Sequence, residues 1–290
     1  MISGATVHLI LLQRGKKLLL RTWKEEYHDQ TKALILSLLD GQVPEGVKRV
    51  ESWGNTRVWK AEQGGKSVYI KFFDSRGVRD RLRLRKSRAY RSVEGSAILL
   101  DGGFLVPDLV AQGEVLKGIV IYESFLVTGE VGDNDNIYDY IGKFFLPELR
   151  GSELQKKRAD IRRMGQLIGS MHHKGIFHGD LRPGNVLIQR DEGKFTCFFI
   201  DNERNRRFPG GIPSRLREKN LVQMNMITMP GISFIDRLRF FHAYVAENPE
   251  LAPGADDLLK RVFLTTKKRL EKKHPGIWSG ARIEKSITSH

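Results

Sequence analysis

The sequence has little of two features that mark secreted and membrane-spanning proteins: cysteine and long apolar runs. It contains one cysteine, Cys197, in 290 residues, so no internal disulfide framework can form. A lone cysteine in an apolar stretch is usually an inert small hydrophobe. No apolar run approaches the roughly 20 residues that span a bilayer, and the opening run at residues 7–12 lacks the flanks of a signal peptide. These absences favour a reducing, cytoplasmic compartment.

Acidic residues are scarce relative to basic ones. The chain carries 49 lysines and arginines against 34 acids, a net charge of +15. Such an excess implies an anionic partner, which could be nucleic acid, acidic phospholipid or a phosphorylated glycolipid. The sequence has no recognisable nucleic-acid-binding motif and no interleaving of aromatic and basic residues, so we expect no nucleic-acid partner. It also has no cysteine–histidine cluster with the spacing of a zinc site and no internal repeat.

A short segment with three polar side chains indicates a chemistry. Asp180 and Asn185 lie five residues apart in the stretch His-Gly-Asp-Leu-Arg-Pro-Gly-Asn, and Asp201 follows the apolar run at residues 195–200. That run and residues 186–188 are typical of two strands joined by a turn, which would bring Asn185 and Asp201 close together. Phosphoryl transfer needs an Asp near the attacking hydroxyl and oxygen ligands for Mg²⁺. The alternative is a polar turn followed by an ordinary hairpin.

The N-terminal half is rich in predicted strands. Residues 6–13 and 17–22 predict a hairpin, residues 31–39 a short helix, and residues 58–61 and 67–73 a second hairpin with a glycine turn. Further strands are predicted at 109–111 and 118–122. Beyond residue 128 the pattern becomes helical, with helices predicted at 136–145 and 153–174.

A lysine and a glutamate precede the Asp180 segment in the chain. Lys71 lies in the middle of an apolar strand, where it needs an anionic partner unless it occupies the wet face of an edge strand. Glu94 lies within a helix predicted for residues 88–100. In kinases a strand lysine grips the α- and β-phosphates and is held by a helix glutamate. We therefore predict that Lys71 pairs with Glu94.

The predicted nucleotide-binding loop is poor in glycine. Gly54 is the only glycine in the stretch at 53–57 that leads into the strand at 58–61, and Asn55 follows it. Their backbone groups could contact phosphate, although one glycine is a weak signal. On the kinase plan, Glu123 and Phe125 follow a strand at the position of the hinge, whose backbone meets adenine.

Together these residues resemble the eukaryotic-type protein kinase superfamily: Lys71, Glu94, His178, Asp180, Asn185 and Asp201. Within it, the chain is similar to the bacterial lipopolysaccharide core kinases, which phosphorylate Kdo or heptose sugars. Three stretches carry this narrower likeness, at residues 87–107, 178–202 and 232–244. The likeness covers roughly residues 49–244.

The resemblance implies an α+β, bilobal protein-kinase-like fold with a β-rich N-lobe and a mostly α-helical C-lobe. Residues 1–48 would form an N-terminal extension packed on the N-lobe at 49–125, and 126–290 the C-lobe with its basic C-terminal segment.

The resemblance also implies roles for individual residues. ATP and Mg²⁺ would be required. Asp180 would accept the proton of a sugar hydroxyl, while Asn185 and Asp201 would hold the metal. Lys71, aligned by Glu94, would bind the ATP phosphates, and His178 would brace the loop.

Departures from the protein-kinase pattern bear on the acceptor. Gly179 replaces the usual arginine, Asp201-Asn202-Glu203 replaces Asp-Phe-Gly, and no Ala-Pro-Glu follows. A peptide-binding platform is therefore not expected, which favours a non-protein acceptor. Two alternatives stay open. One is a small-molecule kinase of the aminoglycoside or choline type, and the other is a pseudokinase that binds lipid or protein.

Arginines predict the acceptor and membrane contacts. Arg204, Arg206 and Arg207, with the nearby Arg215 and Arg217, are expected to bind acidic groups of the acceptor, since guanidinium suits carboxylate and phosphate. Residues 76–91 carry seven arginines and one lysine against one aspartate, which predicts contact with an acidic membrane surface. The expected protein is a monomer that acts on lipopolysaccharide core or a lipid A precursor glycolipid. It would be cytoplasmic and peripheral on the inner face of the bacterial inner membrane.

Overall fold

The computed structural model describes residues 4–51, 56–74, 86–191 and 194–273. They form two compact units. The β-rich unit comprises Met1–Gly132 with Asp201–Arg204, and the helical unit comprises Asp133–Ile200 with Asn205–His290. This composition confirms the predicted α+β class, with a β-rich N-terminal part and a mainly helical C-terminal part.

The β-rich unit is built on one antiparallel sheet of seven strands in the order β1-β2-β6-β7-β5-β4-β3. Within the described part of this unit, two α-helices, α1 and α2, accompany the sheet. The elements are β1 (Thr6–Leu11), β2 (Lys16–Thr22), α1 (His28–Leu39), β3 (Lys48–Val50), β4 (Thr56–Gln63), β5 (Lys66–Asp74), α2 (Arg88–Asp101), β6 (Leu109–Lys117) and β7 (Val120–Gly129).

Strands β1 and β2, from the N-terminal 48 residues, are part of this sheet. β2 pairs directly with β6, with Leu20 opposite Gly113, and β1 pairs with β2 at the edge. Leu18 and Leu20 are fully buried in the same core as Ile35 of α1. The predicted hairpin and helix are confirmed, and backbone pairing joins this N-terminal hairpin to the sheet of the following residues.

The two faces of β5 bury different neighbours, because side chains alternate along a strand. Ile70 and Phe72 lie in the core cluster that contains α1. Phe73 packs with Ala89 of α2 in a second, smaller cluster. Burial of each such side chain contributes about 1.5–3 kcal/mol. Lys71 points to the same side as Phe73, and this places its ammonium on the α2 face of the sheet.

The domain boundary lies later than expected. β7 continues to Gly129, and Phe125 is fully buried within it, so a boundary at residue 125 would cut a core strand. The chain leaves the β-rich unit after Gly132 and returns to it for the four residues Asp201–Arg204.

The helical unit contains five helices among its described residues, together with two small antiparallel sheets in the orders β11-β10-β8 and β12-β9. The elements are β8 (Asn134–Asn136), α3 (Ile137–Phe144), α4 (Gly151–His173), β9 (Ile176–Phe177), β10 (Val186–Asp191), β11 (Lys194–Phe199), β12 (Arg206–Arg207), α5 (Ser214–Asn225), α6 (Phe234–Ala246) and α7 (Ala255–Lys273).

Helices α4 and α6 approach closely because α4 carries two glycines on the contact face. A Cβ at Gly165 would collide with the carbonyl oxygen of Phe240, and one at Gly169 would lie 2.8 Å from that of Tyr244. This close approach brings the fully buried Tyr244 beside the C-terminal end of α4. That contact matters for the polar network of the site.

Cys197 lies on β11 and is buried, as predicted, and burial raises the pKa of its thiol to about 12. Such a thiol is inert as a nucleophile near neutral pH.

Across the described ranges, none of the helices combines the length and apolar content needed to cross a bilayer.

Candidate active site

The Asp180 segment forms a loop that follows β9 and ends in a 3-10 turn, Pro183–Asn185. One carboxylate oxygen of Asp180 is anchored twice. Oδ1 accepts a hydrogen bond from Gln223 Nε2 at 2.7 Å and pairs with Arg182 Nε at 2.9 Å. Within the described residues Oδ2 has no partner, and the side chain is 26% exposed. The carboxylate is therefore held by one oxygen and open at the other.

Internal hydrogen bonds shape the loop around Asp180. Asn185 Nδ2 donates to the Asp180 carbonyl oxygen at 2.9 Å, and the Asp180 N–H donates to His178 Nδ1 at 3.2 Å. His178 is fully buried, with its ring 5.8 Å from that of Phe199. His178 thus contacts the loop where the predicted bracing role requires it.

Helix α5 supports the same loop, which the sequence analysis did not foresee. Lys219 Nζ donates to the Gly179 carbonyl oxygen at 3.0 Å, and Asn220 Nδ2 donates to that of His178 at 2.8 Å. Gln223, one helical turn after Asn220, reaches the Asp180 carboxylate. The sequence contained one signal of this role, since Asn220 and Gln223 are amides three residues apart on a helix and so lie on one face. The structure shows that both are buried.

In the β-rich unit, Lys71 forms an ion pair with Asp201 Oδ1. Glu94 instead pairs with Lys86 at the surface. The predicted Lys71–Glu94 pair is therefore corrected: the structure brings Lys71 to the metal-ligand candidate and leaves Glu94 apart from both. Asp201 has a left-handed backbone, with φ at 60°. This conformation costs a non-glycine residue roughly 1 kcal/mol and is often found at functional sites.

The face that α2 buries explains the correction. Its buried side chains include Ala89, Ser92, Ser96 and Leu99, a stripe at helical spacing. At 3.6 residues per turn, Glu94 lies roughly opposite this stripe.

The inner face of α2 instead contacts the residues that follow Asp201. Ser96 Oγ accepts from Asn202 Nδ2 at 3.0 Å, and Arg88 Nε donates to Glu203 Oε2 at 2.7 Å. Asn202 and Glu203, which stand where many kinases have Phe-Gly, thus tie this segment to the helix.

The two predicted metal ligands fit Mg²⁺ by donor chemistry. Asn185 uses its amide nitrogen within the loop, which leaves Oδ1 as an oxygen donor. Asp201 uses Oδ1 for Lys71, and its Oδ2 has no partner in the described part of the chain. Among these residues no cluster of three or more His, Cys, Asp or Glu occurs. Such a sparse donor set suits Mg²⁺, which keeps water and phosphate oxygens as its other ligands.

The predicted nucleotide contacts are revised. Gly54 and Asn55 lie outside the described residues. Glu123 and Phe125 lie in the middle of β7, paired on one side with β5 and on the other with β6. Their backbone groups serve the sheet and cannot form a hinge. The Glu123 side chain pairs with Arg57, and burial raises its pKa despite that guanidinium.

The predicted acceptor arginines separate into exposed and buried groups. Arg206 and Arg207 form β12, opposite Phe177 and Ile176 of β9, and both are exposed. They therefore lie on the strand beside the start of the Asp180 loop.

The other arginines differ. Arg204 is 68% exposed and lies 3.4 Å from Glu203, and Arg215 is exposed. Arg217 is buried and donates to Tyr244 and Asn248, so its inclusion as an acceptor contact was wrong. Most of the predicted membrane segment at 76–91 lies outside the described residues, since 75–85 are not among them.

Three known proteins are similar to this chain in sequence or in structure. A curated relative, EKC/KEOPS complex subunit bud32 of Emericella nidulans, is 39% identical over 41 residues, which is 14% of this chain and 14% of that protein. The solved structure of WaaP in complex with acyl carrier protein is 20% identical, with a TM-score of 0.58, over 90% of this chain and 98% of that chain. A glucosamine kinase in complex with glucosamine, ADP and inorganic phosphate is 13% identical, with a TM-score of 0.49, over 94% and 90%.

The likeness to WaaP shows a shared kinase-like fold. The family evidence comes from sequence. A model of the lipopolysaccharide kinase (Kdo/WaaP) family matches residues 43–244, which include Lys71, the Asp180 loop, Asp201 and the arginines of β12. This match confirms the resemblance and the phosphotransferase class predicted from the motifs. The chain belongs to the lipopolysaccharide kinase (Kdo/WaaP) family.

Proposed function

We propose that the protein is an ATP-dependent kinase that transfers the γ-phosphoryl group to a sugar hydroxyl of the lipopolysaccharide inner core, on Kdo or heptose. One observation carries the proposal: in a member of this family, Asp180 is anchored through Oδ1 by Gln223 and Arg182 while Oδ2 has no partner among the described residues. A base for a hydroxyl needs such an accessible, oriented oxygen.

The side chains divide the work of the reaction. Asp180 Oδ2 orients the acceptor hydroxyl and accepts its proton, and its anchored Oδ1 limits rotation of the carboxylate. Asn185 and Asp201 would hold Mg²⁺ through amide and carboxylate oxygens, and Lys71 would bind the α- and β-phosphates. Magnesium ATP supplies the phosphoryl group and the cation that offsets charge on its oxygens. His178 and Asn185 keep the loop in its shape through the bonds to Asp180.

The adenine contact moves along the chain. Because β7 ends at Gly129 and the β-rich unit ends at Gly132, the backbone of residues 130–132 replaces Glu123 and Phe125 as the hinge segment. Tyr69 supports this stretch, since its hydroxyl donates to Glu130 Oε1 at 2.9 Å. Lys60 Nζ holds the same carboxylate oxygen at 2.8 Å.

The acceptor is acidic. Arg206 and Arg207 are exposed on β12, whose partner strand β9 leads directly into the Asp180 loop. Guanidinium groups bind carboxylate and phosphate in a forked geometry, and Kdo carboxylates or core phosphates offer both. This arrangement supports a lipopolysaccharide core or lipid A precursor over the cationic acceptors of aminoglycoside-type kinases.

We further propose that the protein acts as a monomer on the cytoplasmic face of the bacterial inner membrane. Its net charge of +15 and the arginine-rich stretch at 76–91 would attract an acidic lipid surface. A protein that works on an embedded glycolipid needs such recruitment to meet its acceptor.

The decisive experiment incubates purified protein with labelled ATP and lipopolysaccharides of defined truncation. Transfer of label to cores that contain the target sugar, and none to cores that end before it, is the expected result. Mapping the label identifies Kdo or heptose. Nucleotide binding without transfer to any core would instead indicate a pseudokinase, and transfer to aminoglycosides alone would indicate the small-molecule reaction.

A further inference from the structure

We infer that Gln223 is a positioning residue for Asp180, held in place by a one-way relay of hydrogen bonds that starts at the buried Arg217. The inference rests on the proposed role of Asp180 as the base. The relay lies entirely within the helical unit. It runs through Arg217, Tyr244, His172, Asn220, Gln223 and Asp180.

The chemistry of the end groups sets the direction of the relay. Arg217 can only donate, and its NH1 lies 2.8 Å from Tyr244 Oη. Tyr244 therefore accepts there and donates its own proton to His172 Nδ1 at 2.9 Å. His172 must then carry its proton on Nε2, which donates to Asn220 Oδ1 at 3.1 Å.

The second half of the relay follows the same logic. Asn220 Nδ2 donates to Gln223 Oε1 at 3.0 Å and to the His178 carbonyl oxygen at 2.8 Å. With its oxygen occupied, Gln223 presents Nε2 to Asp180 Oδ1 at 2.7 Å. A cation at one end and a carboxylate at the other favour this direction over the reverse.

Burial keeps His172 and Tyr244 in the protonation states that the relay needs. His172 is fully buried, which lowers its pKa to about 3, so the ring is neutral and offers one donor and one acceptor. Burial raises the pKa of Tyr244 to about 12, so its hydroxyl keeps a proton to donate. Buried polar groups are costly unless each is satisfied, and this set is satisfied from end to end.

The consequence for Asp180 is orientation. Without Gln223, the exposed Arg182 would be the sole restraint on the carboxylate side chain among the residues that the structure describes. An amide whose own rotation is blocked by Asn220 holds Oδ1 in one place, and Oδ2 then faces the acceptor. Hydrogen bonds in a chain also polarise one another in a low dielectric. A substitution at Tyr244 should therefore weaken the hydrogen bond that orients the Asp180 carboxylate.

The first test compares Gln223→Met with wild type in the phosphoryl-transfer assay. Methionine has similar shape but no donor, so kcat should fall about 10- to 100-fold. The KM for ATP should change less than about twofold, because Gln223 bonds Asn220 and Asp180, neither of which is assigned to ATP. Thr266→Val is the matched control. Thr266 lies on α7, and its buried hydroxyl accepts a hydrogen bond at 3.1 Å from Asn225, which is on α5 like Gln223. Loss of this hydroxyl should lower Tm without lowering kcat. A kcat for Gln223→Met equal to that of wild type overturns the inference.

The relay beyond Gln223 is tested by a double-mutant cycle. Tyr244→Phe should lower kcat about threefold or more in the wild-type background and have no further effect beside Gln223→Met. Additive losses would show that Tyr244 acts independently, and they would overturn the relay.

The last test needs no activity, so it separates this inference from the proposed function. Nitrogen-15 NMR of protein labelled at histidine reports the tautomer of His172 directly. The relay requires a neutral ring protonated on Nε2 at pH 7, with the Nδ1 signal shifted in Tyr244→Phe. A ring protonated on Nδ1 overturns the relay even if the enzyme is active. Wild-type protein that transfers no phosphoryl group, yet shows the Nε2 tautomer, overturns the proposed function alone.

Discussion

At the scale of single residues, Asp180 and Asp201 should fail in different ways. Asp180 is assigned to the acceptor hydroxyl through Oδ2, which has no partner among the described residues, whereas Asp201 is the carboxylate that pairs with Lys71. Asp180→Asn should keep ATP binding and lower kcat about 10²- to 10⁴-fold, the usual loss for a general base. Asp201→Asn should weaken binding of magnesium ATP itself. Turnover assays and nucleotide titrations check both. Comparable turnover by wild type and Asp180→Asn would contradict the assignment.

The buried His172 makes a second prediction at this scale, on stability. Its pKa is about 3 in the folded protein, against an ordinary value of 6.5. His172 therefore binds a proton below pH 6.5 in the unfolded chain, whereas in the folded protein it stays neutral down to about pH 3. The contribution of His172 to the free energy of unfolding is therefore fully present above pH 6.5. It falls by about 1.4 kcal/mol per pH unit as the pH drops from 6.5 towards 3.

Urea unfolding of wild type and His172→Gln at pH 7.5 and 5.5 measures this effect. The free energy of unfolding of wild type should drop more between the two pH values than that of the variant. Equal drops would mean that His172 is not a buried neutral group.

At the scale of elements, the orientation of α2 decides the role of Glu94. Its pair with Lys86 is exposed, with 43% of the Glu94 side chain accessible, and solvent screening makes such a surface pair weak. We expect Glu94→Gln to change kcat less than about twofold, whereas Lys71→Ala abolishes most activity. Kinetics of the single and double variants should give additive effects. Strong coupling between Lys71 and Glu94 would restore the pairing predicted from sequence.

The two-residue strand β12 supports a prediction about the acceptor. Arg206→Gln together with Arg207→Gln should raise the KM for the glycolipid several-fold and leave that for ATP nearly unchanged, because β12 pairs with the strand that enters the Asp180 loop. Lys268→Gln with Arg269→Gln on α7 removes the same charge from two other exposed positions. That control should leave both KM values near wild type. An equal rise for both substrates in the β12 variant would contradict the prediction.

At the scale of the whole molecule, charge predicts membrane binding. Each basic residue near an acidic bilayer contributes about 1 kcal/mol, and the excess of 15 positive charges should act together with the 76–91 stretch. Co-sedimentation should show binding to acidic but not neutral liposomes, and salt should weaken it. Replacing Arg81, Arg83 and Arg85 by Gln should reduce binding while activity on a soluble, delipidated acceptor remains. Equal binding to both vesicle types would contradict the docking role.

Local sequence patterns were sufficient to predict the elements and the class of chemistry. Alternation along β5, the helical spacing of α2 and the interval from Asp180 to Asn185 are local patterns, and local patterns follow from backbone geometry. The same reasoning placed Cys197 in a buried strand and predicted the two differing parts of the fold.

The partners of these residues, in contrast, depend on tertiary packing. Gln223 lies 43 positions from Asp180, and Lys71 lies 130 positions from Asp201. Contacts at such separations depend on how helices and strands pack and leave no local pattern to read. The same holds for the length of β7, which removed Glu123 and Phe125 from the hinge, and for the buried face of α2, which turned Glu94 away. Packing that involves Gly165 and Gly169 set Tyr244 beside His172, because backbones can meet that closely only where no Cβ intervenes.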